Sequence, residues 1–249
     1  MRNNITAAAA VAFPAESTLN WTAQTPGRNG TLIAVVLDES GSMNSCWDAT
    51  IDGFNEFVNG QKNNDESGQA YLTLVKFDAP QIHTVCTNAN VKSVEPLNRN
   101  TYRPNGGTNL MDAIGQTMNN VNDVLSSVPQ DERPSVMVVI ITDGGENASR
   151  EFRGDQIKTM VKAAEAQDWT FQYIAANLDS VKSGMQFGMG VYNSNNFSTD
   201  NISDTMTVLS NSVIRTRAAK MAGVTTHDLY SSGFYNADEL DRLNRGVKK

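Results

Sequence analysis

A chain of 249 residues, 39% apolar and 19% charged, can bury a sizeable core in one large domain with tails. Its formal net charge of -7 excludes a phosphate-backbone binder, because nucleic-acid partners call for clustered Lys and Arg and the only basic cluster is the short end Arg242, Arg245, Lys248, Lys249. Cys46, Cys86, His83 and His227 fall at no metal or redox spacing, and no stretch is long and apolar enough to span a bilayer, so free thiols in a reducing, cytoplasmic compartment are expected.

Residues 1–29 are polar, punctuated by Pro14, Pro26 and Gly27, and are expected to form an extended or partly disordered arm. Ile5 to Phe13 follows a single arginine and is rich in alanine, a weak match to a secretory leader. The apolar, β-branched run Thr31 to Leu37 then reads as a buried strand that stops at Asp38-Glu39-Ser40-Gly41-Ser42. In open α/β sheets ligands bind beyond the carboxyl ends of the strands, which is where Asp38, Ser40 and Ser42 are expected to project. Three hard oxygen donors on one turn suit a hard divalent cation, Mg²⁺ or Mn²⁺. On its own the pattern also fits a Ser-rich strand-to-helix turn with an Asp cap.

Ile51, Phe54, Phe57 and Val58 share one face of a helix expected over residues 49–58. Strands are expected over 70–78 and near 82–85, joined through Ala79-Pro80-Gln81 as an antiparallel hairpin at the sheet edge. The turn Asn105-Gly106-Gly107-Thr108-Asn109 leads into a helix from Met111 to about Val128, with Ile114, Met118, Val121 and Leu125 facing the core. Val136 to Ile141 is the most hydrophobic run, reads as a central parallel strand, and ends in Thr142-Asp143-Gly144-Gly145-Glu146. A helix over 154–167, a strand over 170–176 and a helix over 202–217 follow. Beyond residue 218 helix potential is confined to 237–243, and the segment 218–249 is read as a C-terminal appendage. Strands alternating with helices imply a three-layer α/β fold: a doubly wound, mostly parallel, Rossmann-like sheet with one antiparallel edge strand.

Across residues 30–217 the three loops resemble the von Willebrand factor type A (VWA) family. Asp38-Glu39-Ser40-Gly41-Ser42 is similar to its Asp-x-Ser-x-Ser loop, Gly106-Gly107-Thr108 to its threonine loop, and Thr142-Asp143-Gly144 to its third loop, in the family's order. Cys46-Trp47-Asp48 and Glu146 to Arg150 resemble a small stand-alone bacterial and phage branch. The resemblance implies a metal-ion-dependent adhesion site. Ser40 and Ser42 would bind Mg²⁺ (or Mn²⁺) through their hydroxyls and Thr108 directly or through water. Asp38 and Asp143 would supply charge through waters or hydrogen bonds to the hydroxyls.

Neutral hydroxyls with outer carboxylates leave Mg²⁺ partly satisfied, so a partner's Asp or Glu can complete its shell. Glu39, Gly107, Gly144 and Glu146 are expected at the partner-binding rim, and Asp112 is read as a first-turn acid favoured by the helix dipole. The expected function is a protein-binding adhesion or adaptor module that is not an enzyme and binds neither nucleic acid nor membrane. By family analogy its partner could be an AAA+ ATPase. Two alternatives remain: a structural or assembly component of a phage particle or scaffold, and a metal-dependent hydrolase. The second is disfavoured because no histidine falls near the loops and no Gly-x-Ser-x-Gly surrounds Ser40 or Ser42.

Overall fold

A computed structural model describes residues 27–176, 184, 186–189 and 194–245. The first apolar run folds as β1 (Gly30–Asp38), buried along its whole length. Such a strand has no face to offer water and must sit between neighbours that cover both sides. It pairs in parallel with β2 (Gln69–Asp78) and β4 (Ser135–Thr142), so that Ile33 lies between Leu72 and Met137. β3 (Gln81–Asn90) turns back antiparallel to β2 and forms one edge, while β5 (Thr170–Ala176) and β6 (Ser194–Phe197) continue in parallel beyond β4. The six-stranded order is β3-β2-β1-β4-β5-β6, the mostly parallel sheet with one antiparallel edge pair expected from the sequence.

Alternate side chains of β1 feed two cores because successive residues of a strand point to opposite faces. Ile33, Val35 and Leu37 pack with Phe54 and Phe57 of α1 (Trp47–Lys62) and with Met206, Leu209 and Val213 of α4 (Ile202–Met221). Leu32, Ala34 and Val36 pack with Leu110, Ile114 and Met118 of α2 (Leu110–Ser126) and with Ile157 and Val161 of α3 (Gly154–Glu165). Each such side chain contributes about 1.5–3 kcal/mol on burial, which gives the three layers their cohesion.

Several elements differ from expectation. β3 runs on to Asn90 because its pairing with β2 shifts register between Leu72 and Leu74 and again between Leu74 and Val75, which breaks the alternation that sequence reading relies on. α4 continues to Met221, and its buried Arg217 donates to Gln61 Oε1 and to the Asn64 and Gly68 carbonyls. The segment after 218 docks on α4: α5 (Thr226–Ser232) and α6 (Ala237–Asn244) bring Leu229, Phe234, Tyr235 and Leu243 against Val208 as a third apolar cluster. β6 was not anticipated, since Ser194-Asn195-Asn196 carries no apolar period. The expected arm lies outside the described residues up to Pro26. Among the described residues no helix is long and apolar enough to cross a membrane.

Candidate metal centre

β1 and β4 are adjacent and parallel, with Leu37 opposite Ile141, so their carboxyl ends deliver Asp38 and Thr142-Asp143 side by side. Asp38 is fully buried and is held twice: its Oδ1 accepts the Ser40 N–H at 2.7 Å and its Oδ2 accepts the Thr142 hydroxyl at 2.5 Å. The first is an Asx-type contact that turns the chain immediately after the strand. Burial pushes the Asp38 carboxyl up to about 6; the Thr142 and Ser40 hydrogen bonds oppose this, and the Asp143 charge adds to it.

After Ser40 the chain enters a 3₁₀ turn, Gly41–Cys46, which presents Ser42 outward. Ser42 Oγ donates to Asp143 Oδ1 at 2.6 Å and lies 3.2 Å from Ser40 Oγ. The Asp143 carboxyl is also raised, chiefly by burial. The remaining part of the arrangement is the turn before α2. Gly41 N–H donates to the Gly106 carbonyl at 3.1 Å and Asn105 N–H to the Glu39 carbonyl at 2.8 Å, which stitches that turn to the first loop. Gly106 adopts a φ of +63°, where a side chain would also lie 2.5 Å from the Ala79 carbonyl oxygen, so only glycine fits.

Thr108 is buried beyond this turn, its N–H donated to Asn147 Oδ1 at 2.9 Å. A methyl group placed on Gly144 would lie 3.2 Å from Thr108 Oγ1, 3.4 Å from Ser42 Oγ and 3.9 Å from Asp38 Oδ2. Oxygens from the first two loops therefore converge on Gly144 of the third, and Ser40 and Asp143 are joined to them through Ser42. The donors are hydroxyls and carboxylates only, the set that a hard divalent cation prefers. Among the described residues no group of three or more His, Cys, Asp or Glu side chains gathers, so a cation here would depend on the hydroxyls.

The expected rim needs correction. Glu39 does not face a partner: it is 4% exposed, both its carboxylate oxygens accept from Lys76 Nζ at 2.8 Å, and Oε1 also accepts the Arg103 N–H. The reason is local: in an extended chain Glu39 points opposite to Asp38 and Ser40, towards β2. Glu146 is half-buried and also turned inward, accepting from the backbone N–H groups of Met111, Ala148 and Ser149 and from the Ser149 hydroxyl. It thereby caps the start of α2, as an acid at a helix N-terminus should. Gly107 and Gly144 are half-exposed beside Thr108 and Asp143.

Asp112 is not a free first-turn acid. Its carboxylate accepts the N–H groups of Arg150, Glu151 and Phe152 at 2.8–2.9 Å and anchors the loop after β4 to α2. Sequence reasoning also missed Thr142, which orients Asp38, and Tyr102, whose hydroxyl donates to the Asp38 carbonyl at 2.6 Å. Thr142 was visible as the polar end of an apolar strand; Tyr102 and Lys76 carried no signal.

No protein-family model matches the sequence, and no curated protein matches it. Solved structures do resemble the fold. The pilus adhesin SpaC from Lactobacillus rhamnosus GG, in its open conformation, superposes with a TM-score of 0.57 at 13% identity over 75% of this chain and 30% of that one. Proximal thread matrix protein 1 from the mussel byssus superposes at 0.50 and 13% identity over 75% of this chain and 47% of that one. The chain spans less than half the length of either protein. At this identity the likeness is one of fold alone.

Proposed function

We propose that the chain is a VWA-type binding module that engages an Asp or Glu of a protein partner through a Mg²⁺ or Mn²⁺ ion. The observation that carries the reading is the convergence of Asp38, Ser42 and Thr108 oxygens beside Gly144, with Ser40 and Asp143 hydrogen-bonded into the same set. Bound there, the ion supplies an electrophilic position that a partner carboxylate can complete.

The chain's own residues divide the work of holding it. Ser40, Ser42 and Thr108 offer neutral hydroxyl oxygens. Asp143 accepts the Ser42 proton at 2.6 Å, which leaves the Ser42 lone pairs free to coordinate. Thr142 and the Ser40 N–H fix the orientation of Asp38. Because Glu39 is paired with Lys76, its charge is matched and it adds none to the surface an acidic partner meets.

Isothermal titration with Mg²⁺ and Mn²⁺ tests the reading. Saturable binding is expected in the intact chain and is lost in Asp38→Ala and Ser40→Ala; no binding, or binding that survives both changes, overturns it. The two buried, unpaired cysteines Cys46 and Cys86 support a cytoplasmic setting for the same module.

A further inference from the structure

At the amino ends of the strands, the edge of the sheet opposite the candidate metal centre, lies a cavity of about 290 Å³. It opens between Arg28 ahead of β1, Arg133 ahead of β4, the turn after α3 that carries Asp168 and Trp169, and Lys220 of α4. These supply all four ionisable groups of its lining: Arg28, Arg133, Lys220 and Asp168. Lys220 and Asp168 match each other. Lys220 Nζ lies 2.9 Å from Asp168 Oδ1 and also donates to the Thr226 hydroxyl at 2.6 Å and the Asp168 carbonyl at 3.3 Å, while Asp168 Oδ1 accepts the Thr226 N–H as well. That pair locks the end of α3 to the start of α5 and leaves the two arginines over.

Neither arginine meets an acid among the described residues, whereas Arg99, Arg153, Arg215, Arg242 and Arg245 each do. Arg133 uses only its Nε, which donates to the Val128 carbonyl at 3.1 Å. Asp131 and Glu132 stand on the turn before Arg133, but both are exposed and neither lines the cavity. The carbonyls that end α2 and α3 on this side would otherwise call for a cation, and they are already served. Leu125 O accepts the Val128 N–H, Val124 O the Ser127 hydroxyl, Ala164 O the Trp169 backbone N–H and Glu165 O the Asp168 N–H.

The buried wall adds a third donor. Trp169 is 3% exposed, and its indole N–H finds no acceptor among the described residues, unlike that of Trp47, which donates to the Tyr102 carbonyl at 2.8 Å. A buried tryptophan ordinarily finds a partner for this group. The nitrogen is not among the fully enclosed side-chain atoms that lack one, so the little surface it keeps opens on the cavity that Trp169 lines.

We propose that this cavity binds the phosphate group of a small phosphate monoester. Such a group carries about 1.5 to 2 negative charges at pH 7 and three strong acceptor oxygens, a match for two guanidinium groups and one indole N–H. A carboxylate brings one charge and two oxygens and leaves a donor unserved. At about 30 Å³ per water in the liquid the cavity has the volume of about ten waters, room for a phosphate with a short substituent rather than for a stretch of polypeptide. The site lies a strand's length from the metal centre and does not depend on it.

The test titrates the isotope-labelled full chain with inorganic phosphate in chelator at constant ionic strength. The three tryptophans give three indole N–H signals, and Trp169→Phe assigns one of them. Saturable movement of the Trp169 signal is expected with phosphate and with glycerol phosphate, and none with acetate or chloride. Arg28→Gln and Arg133→Gln are each expected to weaken binding about tenfold. Capped phosphoserine, which presents the same group on a chain segment, is expected to bind about tenfold more weakly than glycerol phosphate.

A Trp169 signal that stays in place, that moves equally with acetate, or that moves undiminished in Arg28→Gln overturns the site. Capped phosphoserine that binds as tightly as glycerol phosphate overturns its assignment to a small molecule. Arg28 is exposed and its replacement leaves the fold intact, so that variant decides even where Arg133→Gln, which loses the bond to Val128, is less stable.

Discussion

Replacing Lys76 with methionine removes one half of a pair that the fold has closed off from water. The side chains of Lys76 and Glu39 are 9% and 6% exposed, and Nζ also reaches the Thr101 carbonyl at 2.5 Å. Removing one partner of such a pair strands the other charge, at a cost of about 3–5 kcal/mol. The lower end applies here, about 3 kcal/mol, because Glu39 keeps the Arg103 N–H. For a chain of this size that corresponds to a drop in Tm of about 6–12 °C.

The double variant Glu39→Gln/Lys76→Met leaves no charge to strand and keeps an acceptor for Arg103. It is expected within about 1–2 kcal/mol of the wild type. Urea denaturation of the wild type, the two single variants and the double variant in chelator measures the coupling directly, and about 2 kcal/mol or more of non-additivity is expected. Mg²⁺ titration of the same four proteins should show affinity falling in Lys76→Met and returning in the double variant, since Glu39 lies between Asp38 and Ser40 and its carbonyl holds Asn105. A cost below about 1 kcal/mol, or costs that simply add, would refute the buried pairing and return Glu39 to the rim.

Three further outcomes follow from the same geometry. Gly144→Ala sets a methyl 3.2 Å from Thr108 Oγ1 and 3.4 Å from Ser42 Oγ. Stability should change by about 1 kcal/mol or less while Mg²⁺ affinity, read by titration calorimetry, falls about tenfold or more. Asp112→Ala leaves three backbone N–H groups without their acceptor and should cost on the order of 3 kcal/mol, with amide exchange accelerating at Arg150, Glu151 and Phe152 before the sheet. Asp204, held by hydrogen bonds from Arg242 on α6, has its carboxyl below the usual range. A depressed folded value means that its contribution is complete above the unfolded value of 3.8 and is lost as pH falls through the folded one. The stability difference between wild type and Asp204→Asn should therefore be constant near neutrality and shrink below about pH 4.

The strands were legible where burial forces composition. β1 and β4 are covered on both faces, so their apolar runs and the polar residues that end them could be read directly, and the order of loops brought Asp38, Ser40, Ser42, Thr108 and Asp143 into one group. Positions whose role depends on a partner from a distant element were not legible. Glu39 looked like a loop acid because Lys76 lies 37 residues away on the neighbouring strand. Glu146 reads as a rim acid and Asp112 as a first-turn helix acid because the groups they serve are backbone N–H donors of another segment, which carry no sequence signal. The segment after 218 was opaque for a related reason. Leu229, Phe234, Tyr235 and Leu243 are spaced irregularly and become a cluster only against Val208.

The hydrogen bonds that close the centre join residues far apart in the chain, 101 positions for Ser42 with Asp143 and 104 for Asp38 with Thr142. Contacts of such long range must overcome the closure entropy of everything between them, here two helices and the hairpin edge, before they return any stability. The centre can close only once β1 and β4 lie side by side, so its closure follows the pairing of those two strands. A cation that recognises only this closed arrangement acts on the rate of escape from the native state more than on the rate of reaching it. The same five side chains that would hold the cation would then also serve as a latch, lengthening the lifetime of the sheet at whose carboxyl end they sit.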